Sequence, residues 1–279
     1  ITNQLEYMTI KDKGINMERS AITIPPRVRF VMGAAWVFRH WLELWLLIFT
    51  MFNILPYLTP VLIESGLRPL ADAIYNLYGL IGHQMAHRSF FVFGEQWMYK
   101  PDELPITLIG EFLPDSSALR QFIGTEQLGW KLAWSDRLLS LFGSALITSY
   151  VYRILRQREG FRPLSLGWML ILTIPLIIDG TTHYNSDFNG VTAGFRWDNA
   201  WLATLTGNLF PDTFYVGDDW GSFNSIMRII TGILFGIGLW SWGLGRVDRY
   251  LSHNAIVLDT RIAAWWQRQE TTSQSNDAM

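Results

Sequence analysis

Four long apolar runs separated by polar stretches organise the chain. Trp41 to Ile63 reads "WLELWLLIFTMFNILPYLTPVLI", Arg137 to Leu155 "RLLSLFGSALITSYVYRIL", Leu164 to Ile178 "LSLGWMLILTIPLII" and Ile226 to Val247 "IMRIITGILFGIGLWSWGLGRV". At about 1.5 Å per helical residue the longer runs cover a hydrocarbon core of roughly 30 Å. The pattern therefore predicts an all-α fold, a polytopic transmembrane bundle of about four spans. Pro56 and Pro60 predict a kink near the end of the first span rather than a break, because neighbouring helices can satisfy the freed carbonyls. Gly143, Ser144 and Ala145 in the second span, and Gly232, Gly236 and Gly243 in the fourth, predict close helix contacts.

Positive charge at the span ends sets the expected orientation. Lys11, Lys13, Arg19, Arg27, Arg29 and Arg39 precede the first span, Arg153, Arg156, Arg158 and Arg162 fill the second-to-third turn, and Arg246, Arg249, Arg261 and Arg268 follow the fourth. The connection from Thr181 to Phe223 instead holds Asp187, Asp198, Asp212, Asp218 and Asp219 against one arginine, Arg196. Both termini are thus expected in the cytoplasm of a bacterial inner membrane, with the acidic connection outside as a solvated face. Parity then makes Pro69 to Phe93 a re-entrant or interfacial helix at the outer side, unless a crossing and a return are both hidden there. The expected organisation is an N-terminal segment with an interfacial helix over 1–40 and a bundle over 41–247 with external loops 94–135 and 181–223. An amphipathic tail over 248–279 completes it, its last residues lacking structure. Residues 1–29 lack the order of a signal peptide, so the first span is expected to direct insertion.

Composition agrees with a membrane protein: 49% of residues are hydrophobic and only 16% charged, where about a quarter is usual in soluble domains. The aromatic richness is expected to form core and interfacial belt. A net charge of -2 with no basic stripe excludes nucleic acid as an expected partner. The lack of cysteine excludes a disulfide framework, a thiolate nucleophile and a Cys-type zinc site.

Candidate chemistry gathers at one level of this topology. His83 and His87 are four apart in "LIGHQMAHRSFFVF", as are Asp179 and His183 and then Asp187, so each set shares a face if its helix continues. Asp136 and Arg137 open the second span, Arg228 lies one turn into the fourth, and Arg88 follows His87. His83, His87, Asp179 and His183 are the candidate ligands of a divalent metal such as zinc, which would activate a water. Gln84 stands where an HExxH motif would place its general base. The other reading is structural: Asp136 bonds Arg228, Asp179 bonds His83 or Arg88, and His87 is solvated.

Two passages also align in register, "NAWLATLTGNLF" from Asn199 and "NSIMRIITGILF" from Asn224. A duplicated helix start with the two asparagines as caps is one reading, and chance likeness between apolar helices the other.

The motifs "HQMAHRSFF", "RQFIGTEQLGWKLAWSDR", "IDGTTHYNSDFNG", "GFRWDNAWLATLTG" and "GSFNSIMRIITGILFG" together resemble the uncharacterised bacterial and archaeal membrane-protein family termed domain of unknown function 2085, in its Chloroflexota-type branch. The resemblance runs from about Tyr75 to Gly245. It implies that His83, Arg88, Asp136, Arg137, Asp179, His183 and Arg228 occupy family motif positions, that His87 stands where an acidic or amide residue is more usual, and that Gly82 and Ser135 stand where the family often carries cysteine. It implies no reaction.

Two functions remain in view. The chain is either a non-catalytic accessory subunit among other membrane subunits, as in an energy-converting complex, or a metal-dependent enzyme or transporter using the His/Asp cluster.

Overall fold

A computed structural model describes residues 24–277. The expected charges Lys11, Lys13 and Arg19 lie outside the described residues. Helix α1 (Pro26–Arg39) is followed by α2 (Trp41–Glu64), α3 (Arg68–Gly79), strand β1 (Ser89–Val92), α4 (Phe112–Gln121), β2 (Gly124–Thr125) and β3 (Gly129–Ser135). Then come α5 (Asp136–Leu155), α6 (Leu166–Asp187), three short helices α7 (Phe195–Asp198), α8 (Ala200–Thr206) and α9 (Asp212–Tyr215), and α10 (Phe223–Asp277). Among the described residues α2, α5, α6 and α10 are long and apolar enough to cross a membrane, so the chain is a membrane protein built as a helical bundle.

Two helices outrun their apolar signal. α6 continues to Asp187, nine residues beyond the expected Ile178, because Thr181 and Thr182 return their hydroxyls to the carbonyl of Ile177 or Ile178, while Asp179 and His183 face inward. α10 takes in the stretch expected as an amphipathic tail helix and continues to Asp277, through final residues expected to lack structure; no Gly or Pro interrupts the sequence after Gly245.

The body spans residues 40–251. α3 has 12 residues, about 18 Å, too short to cross. Ala71, Ile74, Tyr75 and Tyr78 bury one face of it at helical spacing, packed with α2 and β3. The expected helix does not extend to Phe93: after Gly79 the chain runs through a loop and a short turn, Ala86–Arg88, into β1. The three-stranded antiparallel sheet, order β1-β3-β2, was not anticipated. All seven residues of its central strand are buried, so β3 lacks the apolar and polar alternation that would advertise it.

An aromatic layer ties this sheet to the spans. Trp134 stacks on Phe142 at 4.9 Å, Phe52 on Tyr78 at 5.2 Å and Phe49 on Trp240 at 5.4 Å. Glycine sets the α5–α10 contact: a Cβ at Gly232 would lie 2.2 Å from Ser140 Oγ, and one at Gly236 would lie 2.1 Å from Ser144 Oγ. Gly143 and Gly243 meet nothing within 4 Å and play no such part.

The second unit comprises the described residues of 1–39 and 252–279. Its Arg39 pairs with Asp259 at 3.6 Å.

Candidate functional site

Where α5, α6 and α10 meet the loops between α6 and α10, four arginines and four aspartates converge. Asp136, first residue of α5, takes Arg228 Nε at 2.9 and 2.8 Å on its two oxygens. Arg228 also donates to Asp218 Oδ1 and to the Asp218 carbonyl, each at 2.6 Å. Arg88 reaches the other oxygen of Asp218 at 2.6 Å and clamps both oxygens of Asp187 at 2.9 Å. On α6, Asp179 takes Arg137 at 2.6 Å on one oxygen and Arg196 at 2.8 Å on the other. Every carboxylate oxygen of the four aspartates therefore accepts from a guanidinium.

The loop is held to the bundle by polar bonds. Asn224 Nδ2 donates to the carbonyls of Arg196 and Gly217, and Asn199 Nδ2 to those of Arg196 and Tyr215. The first asparagines of the two aligned passages meet in space, Asn199 Nδ2 lying 3.3 Å from Asn224 Oδ1. Asn199 does not cap α8 with its side chain; its backbone is left-handed, φ 44°, and its amide ties loop carbonyls together.

Electrostatics follow from burial. Burial alone would raise the Asp218 carboxyl, but Arg88 and Arg228 hold it well below the usual range. Arg88, despite the same desolvation, is pushed above its ordinary value by Asp218 and Asp187. Burial holds the His87 imidazole below its ordinary value against the pull of Asp218, whose Oδ2 stands 3.4 Å from Nε2.

The metal candidates are not brought together. His83 is exposed, whereas His87 is fully buried and not solvated as expected. The two share no helix face, because the chain between Gly79 and Ala86 is a loop, in which Gln84 turns inward to donate to the Ala133 carbonyl at 2.8 Å. His183 Nε2 lies 3.9 Å from Asp179 Oδ1 and 3.1 Å from Arg196 Nη2, so a guanidinium occupies the place a cation would need. Two arginines on Asp179 repel a divalent ion, and among the described residues no group of three or more His, Cys, Asp or Glu side chains could hold one. Asp179 therefore pairs with neither His83 nor Arg88, while the expected Asp136–Arg228 pair is present.

Two network members were missed. Asp218 is 2% exposed and Arg196 is 7% exposed, within a connection whose acidity predicts a solvated face; Asp198 and Asp212 are solvated. A lone arginine among five aspartates was the available signal. A cavity of about 600 Å³ borders the network, and both Gly82 and Ser135 line it.

Fold and site together define an integral membrane protein whose bundle is closed at one end by a buried arginine–aspartate network under a loop cap. No family model matches the chain. The uncharacterized protein MJ1492 of Methanocaldococcus jannaschii is 23% identical over 113 residues, which is 40% of this chain and 50% of that protein. The chain thus spans about half the length of the relative it matches. No solved structure matches it.

Proposed function

We propose that the chain is a non-catalytic accessory subunit of a larger membrane assembly. The observation that carries this reading is the saturation of all four aspartates by arginine, which leaves no network carboxylate free to serve as general base or metal ligand. The exposed apolar face of α6 supports it: only 11% of its span is buried within the chain, against 28% or more in the other three. Trp168, Ile171, Ile174 and Ile178 present the surface on which neighbouring subunits or lipid would pack.

In this proposal the network faces the outer side of a bacterial cytoplasmic membrane and both termini face the cytoplasm. Arg153 in the last turn of α5 and Arg156, Arg158 and Arg162 between α5 and α6 supply the charge asymmetry behind that assignment. Membership of the family whose motifs the chain resembles belongs to the same proposal, supported by their order along the sequence.

Extraction in mild detergent, native electrophoresis and peptide mass spectrometry test it. The subunit reading expects a band above the chain's own 32.2 kDa, with partner peptides at constant ratio and unchanged by His83→Ala. Recovery of the chain alone contradicts it, as does a near-stoichiometric metal lost in Asp179→Asn. Because the chain has no cysteine, single cysteines at Arg158 and Asp212 report sidedness with an impermeant maleimide: only the Asp212 position should label from outside.

A further inference from the structure

The cavity beside the network is lined by Arg88, Arg120, Arg137 and Arg228 against only Asp136 and Asp187. Both carboxylates are consumed, by Arg228 and Arg88. Donors on the same wall are not.

His183 makes the imbalance chemically definite. A guanidinium can only donate, so His183 Nε2, 3.1 Å from Arg196 Nη2, is the acceptor nitrogen and Nδ1 carries the proton. That Nδ1–H belongs to a side chain only 4% exposed and has no partner among the described residues; the buried Nε–H of Arg137 has none either. The third group is Arg120, whose guanidinium makes one long hydrogen bond, 3.5 Å to the Gly79 carbonyl, and no ion pair among the described residues. All three unmatched groups are donors, and two carry positive charge. The cavity these residues border is therefore rich in donors and positive charge, which an acceptor with negative charge would match. Phe112 and Leu138 give the cavity apolar walls, and Leu113 and Tyr184, 74% and 56% exposed, give it an apolar rim.

We propose that this cavity binds a phosphate group, seated between Arg120, Arg137 and His183. Two sources share that chemistry: the headgroup of an anionic phospholipid, whose chains the apolar rim would accept, and free phosphate.

Calorimetry on the full chain in neutral-detergent micelles tests this, with inorganic phosphate and short-chain phosphatidylglycerol as probes. Wild type should bind at least one probe, and Arg120→Gln, at an exposed position, should weaken that binding about tenfold while leaving the protein monodisperse. Arg137→Lys keeps a cation beside Asp179 and removes the Nε–H, and should weaken it as well. Phosphatidylglycerol without phosphate assigns the lipid source; binding of phosphate assigns the soluble one. No binding of either probe at millimolar concentration overturns the proposal, as does unchanged affinity in Arg120→Gln.

Discussion

Arg228 and Asp248 stand about 30 Å apart along α10, the thickness of a hydrocarbon core, and each ties the bundle together at its own end. Around Asp248 the arrangement is partly wet. Its carboxylate collects Trp41 Nε1 at 3.0 Å, the Tyr152 hydroxyl at 2.9 Å and Arg156 at 3.1 Å, with the Arg156 and Asp248 side chains 21% and 19% exposed. Around Arg228 the direct partners are dry: its side chain is 3% exposed, that of Asp136 0% and that of Asp218 2%, with Arg137 at the network's edge 22% exposed. Solvent can stand in for a lost partner at the first end and cannot at the second. The same residue types therefore carry different weight, and the dry end is where removing one member strands another.

Arg88→Met should show the largest effect. It leaves Asp187 and half of Asp218 without a cation, at a cost of about 3–5 kcal/mol, read as a collapse of monodisperse yield or a large fall in Tm in detergent. A Tm within a few degrees of wild type would erase the distinction between the ends. Gly236→Ala tests the helix contact between them. Its Cβ would lie 2.1 Å from Ser144 Oγ and 2.4 Å from the Leu141 carbonyl, so a loss of about 1–3 kcal/mol is expected, whereas Gly243→Ala, in open space, should be silent.

Lys131 sharpens the comparison because it is a fully buried cation at the sheet with no carboxylate partner among the described residues. Burial, with Arg120 nearby, pushes its pKa from 10.5 down to about 7, and as a neutral amine its two N–H groups match the Gln84 and Arg120 carbonyls, each at 2.7 Å. The unfolded chain binds more protons at this position between pH 7 and pH 10.5, so stability should rise with pH across that window, by no more than about 1.4 kcal/mol per unit. Below pH 7 both states are protonated and the dependence should vanish. Thermal scans from pH 6 to 9.5 (a range of roughly this window) should show the slope in wild type and lose it in Lys131→Met. Smallest of all should be Asp248→Asn at the wet end, about 0.5–1.5 kcal/mol by the same thermal scan, since an amide oxygen still accepts from Trp41 or Tyr152.

The spans were legible because hydropathy reads long apolar runs directly, and Trp41–Glu64 departs by one residue from expectation. Helix ends made of inward-facing polar residues were not legible: Asp179 and His183 look like a terminus to a hydropathy rule and lie inside α6. The Asp136–Arg228 pair could be read because both residues open apolar spans at one level. The His83/His87 spacing implies a shared face only on a helix, and the helix ends at Gly79, with Gly82 just before His83 in the loop that follows. Arg196 and Asp218 escaped notice because nothing local separates a buried loop charge from a solvated one; their burial comes from a fold-back of the loop that Asn199 and Asn224 pin.

The central claim is that the buried charges exist for one another. A double-mutant cycle on Arg228→Met and Asp136→Leu, followed by unfolding in detergent, measures that directly. The account predicts that each single change is severe and that the double variant recovers part of the loss, with a coupling of at least about 1.5 kcal/mol. Additive effects within about 0.5 kcal/mol would contradict it and reopen the cluster as a site held together for some other purpose.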